Sequence, residues 1–174
     1  MSKKYVIEKL GAFGEGVARD EGKVVFIKGA LPGEVVVAKP ELVKKSFTKA
    51  RLTKILEPSP DRIKPQCRYI EECGGCSLQH LSYDAQLRLK EQTVKETLFK
   101  VGGVDATIDK VVPSHKIIRY RNKLSFPVRG KRVGMYAENS HNVVDIDDCL
   151  LQKEWNKSLI KALREFMKDF NLSG

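Results

Sequence analysis

Four cysteines are the residues of this chain whose type and spacing best suit chemistry. Cys67, Cys73 and Cys76 form a C-x5-C-x2-C cluster, and Cys149 follows after 72 further residues. Thiolate sulfur is a ligand for soft metals, so this pattern predicts one metal or iron–sulfur site that is closed by a ligand from far along the chain. Two glycines separate Cys73 from Cys76. We expect them to allow tight backbone angles and to leave amide N–H groups free to point at sulfur.

The spacing admits three interpretations of these sulfurs. The chain opens on a charged, strand-like segment without an apolar signal region, and the sequence contains no candidate membrane span. We therefore expect a reducing cytoplasm, where disulfides are rare. Structural zinc sites usually combine two short cysteine pairs, whereas here the fourth cysteine stands alone. The spacing favours an iron–sulfur cluster and leaves zinc open as the alternative.

The residues around the cysteines resemble those of the RNA (uracil-5-)-methyltransferase family. The resemblance is carried by the ranges Cys67–His80, Tyr120–Lys123 and Gly134–Tyr136, which lead to Cys149. In that family four cysteines hold a [4Fe–4S] cluster, and they match one for one the cysteines at 67, 73, 76 and 149. The resemblance therefore implies this cofactor. We expect a structural role for it, because four protein ligands leave no iron open for Lewis-acid chemistry.

The beginning of the chain is similar to the TRAM domain of the same family, a small RNA-binding barrel. This similarity lies in Gly14–Ala18, Gly22–Ile27 and Leu31–Glu34. It predicts an α+β chain with an OB-like, all-β TRAM barrel over residues 1–57 and a linker over 58–66. An incomplete α+β iron–sulfur domain, the central RNA-binding domain of the family, would follow over 67–174.

The catalytic half of the family pattern has no counterpart in this sequence. Family members are more than twice as long, and the remainder holds the S-adenosylmethionine pocket, the cysteine nucleophile and the general base. All four cysteines are already assigned to the cluster, so no spare thiol remains for nucleophilic attack. We expect no catalytic residue here, S-adenosylmethionine only in a methyltransferase domain supplied in cis or in trans, and no methylation by this chain alone.

The charge of the chain points to a polyanionic partner. The net charge is +10, and residues 39–64 carry eight basic side chains against three acidic ones. Phosphate contacts release counterions, so such a cluster favours nucleic acid, which the resemblance specifies as a loop of ribosomal or transfer RNA. The candidate contacts are Lys44, Lys45, Lys49 and Arg51, with Phe47 stacking on a base. A solvated face is the alternative for the basic residues, and barrel packing is the alternative for Phe47.

Alternating apolar residues predict short strands at 5–7, 24–27, 35–37 and 50–52, with turns at 14–16, 20–22 and 31–33. A further alternating strand is predicted over 119–128, with Arg119, Arg121 and Lys123 on one face as phosphate ligands. A solvated edge is the alternative interpretation of that face. A turn at 129–132 and a strand at 143–146 would then deliver Cys149.

Two helices are predicted. Ser82 would cap a helix over 83–101 that ends at Gly102-Gly103, and another would run over about 152–170. Each has an apolar stripe that we expect to face the core, although the second stripe would be only partly covered in these 174 residues. The stripes are Tyr83, Leu87, Val94, Leu98 and Val101 in the first helix, and Trp155, Leu159, Ala162, Leu163, Phe166, Met167 and Phe170 in the second.

Two other functions compete with presentation of RNA to a methyltransferase domain. One is a stand-alone zinc-bound RNA-binding module, which a colourless protein with one zinc would favour. The other is an electron carrier, for which the barrel and the basic surface have no evident use.

Overall fold

The computed structural model describes residues 1–173 and divides the chain into two compact units. The first contains residues 1–64 and 80–86, and the second contains residues 65–79 and the chain from Leu87 onward. Among the residues described, no helix is both long and apolar enough to cross a membrane. The two units are mostly sheet with two helices, so the predicted α+β class is confirmed at that level.

The first unit is built on one six-stranded mixed sheet. Its strands stand in the order β1-β5-β6-β4-β3-β2, and only the β4–β6 pair is parallel. This strand-rich unit is consistent with the predicted TRAM barrel. The strands are β1 Lys3–Val6, β2 Lys9–Leu10, β3 Gly16–Asp20, β4 Lys23–Lys28, β5 Val35–Val43 and β6 Phe47–Glu57.

Strand alternation explains the core of the first unit. Val25 and Ile27 of β4 and Val36 and Ala38 of β5 point to one face and are buried, whereas their neighbours in the chain are more exposed. Successive side chains in a strand point to opposite faces, so a period of two places one apolar set inside. The four strands predicted from this alternation are confirmed.

The predicted turn at 14–16 is only half correct. Gly14 has φ +87° and makes the turn, but Gly16 already belongs to β3 and is buried. A Cβ atom on Gly16 would lie 2.8 Å from the Cβ atom of Ala30 and 2.9 Å from its carbonyl oxygen. Gly16 therefore permits a close approach of two segments inside a strand, which a sequence pattern cannot distinguish from a turn.

The predicted linker 58–66 is bonded in part to the first unit. The backbone N–H of Ser59 donates to the carboxylate of Glu34 over 3.2 Å, and Arg62 donates to the same carboxylate through Nε over 2.5 Å and Nη2 over 2.9 Å. Arg62 also donates to the carbonyl of Gly29 over 2.5 Å. The observed units thus differ from the predicted ranges 1–57, 58–66 and 67–174, because these contacts keep residues up to Lys64 with the sheet.

The second unit combines a three-stranded antiparallel sheet with helical packing. The sheet order is β7-β8-β9, and Val133 of β8 packs with Ile160 and Met167 of the last helix in a small core. The predicted turn at 129–132 is confirmed, since β7 and β8 form a hairpin. The elements are α1 Tyr83–Gly102, which starts in the first unit, β7 Val128–Arg129, β8 Arg132–Tyr136, β9 Val143–Asp145 and α2 Trp155–Asp169.

Helix α1 has the predicted ends but not the predicted buried face. The Ser82 hydroxyl accepts from the backbone N–H of Ala85 over 3.4 Å, and Gly103 follows the helix with φ +66°. Ala85 is the buried residue of this helix. Val94 and Val101 of the predicted core stripe are 48% and 84% exposed. The stripe is therefore exposed from Val94 onward, and its assignment to the core is wrong there, whereas Tyr83 and Leu87 are half-buried.

Helix α2 buries one part of its predicted stripe and exposes the other. Met167 is buried with Ile160, and Leu163 packs beside them. Trp155 and Phe166 are 60% and 51% exposed. The expectation of a partly uncovered helix is therefore confirmed for the described residues.

The predicted strand over 119–128 is wrong, because only its last residue lies in β7. Arg119 has φ +57°, outside the strand region. The backbone N–H groups of Arg119 and Arg121 donate to the carbonyls of Leu150 and Leu151 over 2.7 and 2.8 Å. This segment is thus held by a loop that follows Cys149 and not by a sheet.

Candidate metal centre and nucleic-acid interface

The fold brings all four cysteines to one cavity in the second unit. The wall of that cavity is otherwise largely apolar, with Leu124, Met135, Ile146, Leu150 and Leu151 among its members. None of the four cysteines is in a disulfide. Cys149, which lies 73 positions after Cys76, therefore shares one largely apolar pocket with the three clustered cysteines, and their role as metal ligands stays a prediction.

The surroundings of the sulfurs are those of buried thiols. The backbone N–H of Gly75 donates to Sγ of Cys73 over 3.4 Å. Burial raises the pKa of both Cys73 and Cys76 above the ordinary cysteine value. These thiols hold their protons at neutral pH when no metal is bound, so binding a metal must release protons.

The two glycines between Cys73 and Cys76 match the prediction in part: the N–H of Gly75 points at Sγ of Cys73, but the expected special backbone angles are not found. Neither Gly74 nor Gly75 has a positive φ. A Cβ atom on Gly74 would lie 2.9 Å from the Cα atom of Glu138. The backbone N–H of Gly74 also donates to the carbonyl of Tyr136 over 3.0 Å. The cysteine loop therefore lies directly against the backbone around residues 136–138, and glycine is required for that approach.

An arginine clamp holds the segment that carries Cys149. The guanidinium of Arg119 donates to both carboxylate oxygens of Asp148, each over 2.7 Å. It donates as well to the carbonyls of Cys149 and Gln152 over 3.1 and 3.2 Å. This arrangement lowers the pKa of Asp148. Arg119 is thus engaged within the chain, and its predicted contact with phosphate stays a prediction.

A second clamp joins the segment after Cys67 to the segment before Cys149. Arg68 and the hydroxyl of Tyr69 both donate to the carboxylate of Asp147, and these bonds hold its pKa at about 2. The backbone N–H of Asp147 donates back to the Tyr69 hydroxyl over 3.2 Å. Sequence reasoning missed both clamps. The sequence signal that could have revealed them is the pair Asp147-Asp148 directly before Cys149, together with Arg68 directly after Cys67.

As the side chains stand, no group of three or more histidine, cysteine, aspartate or glutamate residues within residues 1–173 has the arrangement that would hold a metal ion. The four cysteines line one cavity all the same.

Comparison with known proteins identifies the lineage of this chain. Residues 6–53 match the TRAM domain. A protein of Aquifex aeolicus named as an uncharacterized RNA methyltransferase is 41% identical over 166 residues, and one of Clostridium tetani is 38% identical over 171 residues. The crystal structure of Pyrococcus abyssi tRNA (uracil-54, C5)-methyltransferase with S-adenosyl-L-homocysteine superposes with a TM-score of 0.75 at 30% identity.

The chain belongs to the RNA (uracil-5-)-methyltransferase family. The alignments cover 95% and 96% of this chain but only 39% and 37% of the Aquifex and Clostridium proteins. The structural match likewise covers 97% of this chain and 37% of the archaeal enzyme. The chain thus spans about two fifths of the length of the family members that it matches.

The candidate RNA contacts of the TRAM domain lie on the turn between β5 and β6 and on β6. Lys44 and Lys45 are exposed in that turn. Phe47 is half-buried and packs edge-to-face on Phe26, with ring centroids 5.9 Å apart. Packing against Phe26 therefore explains why part of the Phe47 ring is buried. The predicted stacking of Phe47 on a base, like the lysine contacts, stays a prediction.

The remaining candidate RNA contacts lie at separate positions in the structure. Lys49 is exposed on β6, and Arg51 forms an ion pair with Glu41 over 2.7 Å. Arg121 lines the sulfur cavity, while Lys123 is exposed in the irregular segment. Because that segment is not a strand, the structure does not place the three basic residues from 119 to 123 on one strand face.

Proposed function

We propose that this chain is the RNA-binding, [4Fe–4S]-bearing part of an S-adenosylmethionine-dependent RNA (uracil-5-)-methyltransferase that acts on ribosomal or transfer RNA. The observation that carries the proposal is the single cavity lined by Cys67, Cys73, Cys76 and Cys149 in a member of this family. The TRAM match over residues 6–53 and the net charge of +10 support RNA as the partner.

The chemistry of the cavity supports a cluster as its occupant. Iron–sulfur clusters are held by cysteine thiolates, and their potentials depend on hydrogen bonds to sulfur, such as the Gly75 bond to Cys73. Zinc would require four sulfurs at about 2.3 Å from one point. The spacing of the cysteines, with a single remote fourth ligand, favours the cluster over zinc. The four cysteines would hold the cluster, and the cluster would tie the 67–76 loop to Cys149.

The division of labour follows from the residues present. Every cysteine belongs to the proposed cluster site, so the nucleophile, the base and the S-adenosylmethionine pocket are assigned to a methyltransferase domain outside this chain, in cis or in trans. This chain would hold and present an RNA loop to that domain. Unpaired loop bases are the usual target of sequence-specific RNA recognition.

The cluster is tested by an absorption spectrum with iron, zinc and sulfide analysis of protein purified without oxygen. A brown sample with about four irons and four sulfides per chain supports the proposal. A colourless sample with one zinc would overturn the cluster and favour a zinc-bound RNA-binding module.

The RNA partner is tested separately by fluorescence anisotropy with labelled RNA hairpins over a series of salt concentrations. We expect binding that weakens linearly in log–log form as salt rises, because phosphate contacts release counterions. No binding at low salt would overturn this half of the proposal.

A further inference from the structure

An open cleft in the second unit lies beside the cysteine loop and has no role in the site described so far. Its volume is about 840 Å³, and its lining includes Gly74 of the cysteine loop, Pro127 before β7, and Tyr136, Glu138 and His141 at and after the end of β8. This space is large enough for a nucleoside, and it is open to solvent.

The exposed side chains of Tyr136 and His141 line this cleft. Tyr136 is 45% exposed, and its ring meets that of His141 edge-to-face with centroids 5.5 Å apart and planes at 69°. The two rings meet within the lining of the cleft, so together they offer an aromatic surface to a ligand. Nucleobases stack on such rings, which provide affinity without a requirement for a particular base.

Cationic groups lie next to the rings. Nη1 of Arg129 donates to the carbonyl of His141 over 3.2 Å, which places this guanidinium at the cleft. Lys131 and Arg132 are exposed on the same β7–β8 hairpin. The acidic member of the lining is Glu138, which already has an interaction partner within the chain. A phosphate beside the hairpin would therefore meet positive charge.

The cleft wall is fixed to the cysteine loop. The backbone N–H of Gly74 donates to the carbonyl of Tyr136 over 3.0 Å, and Cys73 and Ala137 form an antiparallel bridge. On the other side, the N–H of Ala137 donates to the carbonyl of Asn142 over 2.9 Å. The position of Tyr136 thus depends directly on the loop that carries two of the four sulfurs.

We propose that this cleft binds one unpaired base of an RNA loop, stacked on Tyr136 and His141, with its phosphate beside Arg129. The inference rests on the proposed RNA-binding function and adds a site to it. A base inside a duplex cannot enter the cleft, because its faces are already stacked on neighbouring pairs. The cleft therefore distinguishes single-stranded from paired RNA.

The test compares Tyr136→Ala and Tyr136→Phe in the metal-loaded chain, with Phe170→Ala as the control. Phe170 is 65% exposed on the same unit and is not part of the cleft lining. Anisotropy is measured with a labelled hairpin that has an unpaired loop and with a blunt duplex. We expect Tyr136→Ala to weaken hairpin binding by at least about fivefold, since stacking on an aromatic side chain is worth that or more per base. Tyr136→Phe and Phe170→Ala should bind the hairpin like the wild type.

Two further readouts separate stacking from charge and from folding. Tyr136→Ala should leave the salt slope unchanged, whereas Arg129→Ala should lower it by about 0.7, the value for one phosphate on a single strand. Iron content and circular dichroism of each variant report whether the cysteine loop remains intact. Equal hairpin affinity for an intact Tyr136→Ala, or equal losses on hairpin and duplex, would overturn the cleft assignment. If the wild type binds no RNA, the proposed function fails instead.

Discussion

At the scale of single residues, Glu34 shows how one charge organises the first unit. Its side chain has no solvent exposure, yet it accepts hydrogen bonds from the backbone of Leu31 over 2.8 Å, from the backbone of Ser59 and from Arg62. Burial alone would raise the pKa of this carboxyl group, but the bonds from Arg62 and the two backbone groups outweigh it and lower the pKa. Glu34 is therefore ionised in the folded chain and depends on Arg62 for its counter-charge.

We expect Arg62→Ala to reduce the free energy of unfolding by about 3–5 kcal/mol, because it leaves an uncompensated buried charge. Arg51→Ala is the matched control. It breaks the Arg51–Glu41 pair, whose side chains are 62% and 54% exposed, and should cost at most about 1 kcal/mol. Urea denaturation followed by circular dichroism measures both. Equal losses for the two variants would show that burial does not set the strength of the Glu34 contact.

Acid should weaken the same contact. The pKa of Glu34 lies below that of an unfolded glutamate, which is about 4.3, so its stabilisation is complete above that pH and is lost as the pH falls through the folded value. Urea midpoints measured from pH 7 to pH 3 should fall for the wild type. Because Arg62→Ala removes the cause of the lowered pKa, that variant should show a smaller acid-dependent loss, and a loss as large as the wild type's would contradict this account.

Cys149 provides the test of the remote metal ligand. We expect Cys149→Ser to lose most of its iron and to lower the melting temperature of the second unit, since the cluster would join this segment to the 67–76 loop. Met135→Leu changes an apolar residue of the same cavity and should keep its iron. Full iron content in Cys149→Ser would show that this residue is not a ligand.

At the scale of elements, the turn between β5 and β6 presents two adjacent exposed lysines in the TRAM domain. The backbone N–H of Lys44 donates to the carbonyl of Phe47 over 2.8 Å, which closes the hairpin and leaves Lys44 and Lys45 in solvent. Two lysines at a hairpin tip suit a phosphate backbone that passes across the end of the sheet.

We expect Lys44→Ala with Lys45→Ala to weaken binding to all RNA sequences tested and to lower the salt slope by about 1.4, the effect of two phosphate contacts on a single strand. Lys90→Ala with Lys95→Ala removes the same charge from the exposed surface of α1 and serves as the control. Anisotropy titrations at several salt concentrations give both slopes. Identical slopes for the two double variants would assign the effect to net charge alone.

Elements were predictable from sequence where local patterns decide them. The four strands predicted in the first unit and the caps of α1 depend on neighbouring residues, and these predictions were confirmed. The buried face of each helix depends on which distant segment packs against it, so the α1 stripe was misjudged. The alternating charges at 119–123 are typical of a strand. The backbone N–H groups of this segment instead donate to the carbonyls of residues 150 and 151, which are in a loop.

The cavity that the four cysteines share was predictable, because their spacing and the family resemblance predict one ligand set. The clamps of Arg119 and Arg68 were not, since an ion pair between residues far apart in sequence leaves no periodic signal. Arg119 illustrates the consequence: a cation expected to meet phosphate is instead bonded to Asp148.

At the scale of the whole molecule, exposed apolar surface on α2 should control solution behaviour. More than half of the residue surface is exposed at Trp155, Leu159 and Phe166 of this helix and at Phe170 directly after it. We expect the isolated 174-residue chain to self-associate as its concentration rises, because such surface is usually covered. Phe166→Glu should suppress this behaviour, whereas Ser158→Glu, which adds the same charge at an exposed polar position, should not.

Size-exclusion chromatography with light scattering, at a series of protein concentrations, measures the mass of each variant. A wild-type chain that stays monomeric at the highest concentration would contradict the expectation.

The Glu34–Arg62 contact also constrains which gene segment must move when the TRAM domain is transferred to another protein. The TRAM match ends at residue 53, nine positions before the arginine that neutralises the buried carboxylate. A gene fusion with a junction between these points would transfer a barrel with an unmatched internal charge. Recombination that moves this barrel to another protein must therefore carry Arg62, supply another cation, or replace Glu34 in the same step.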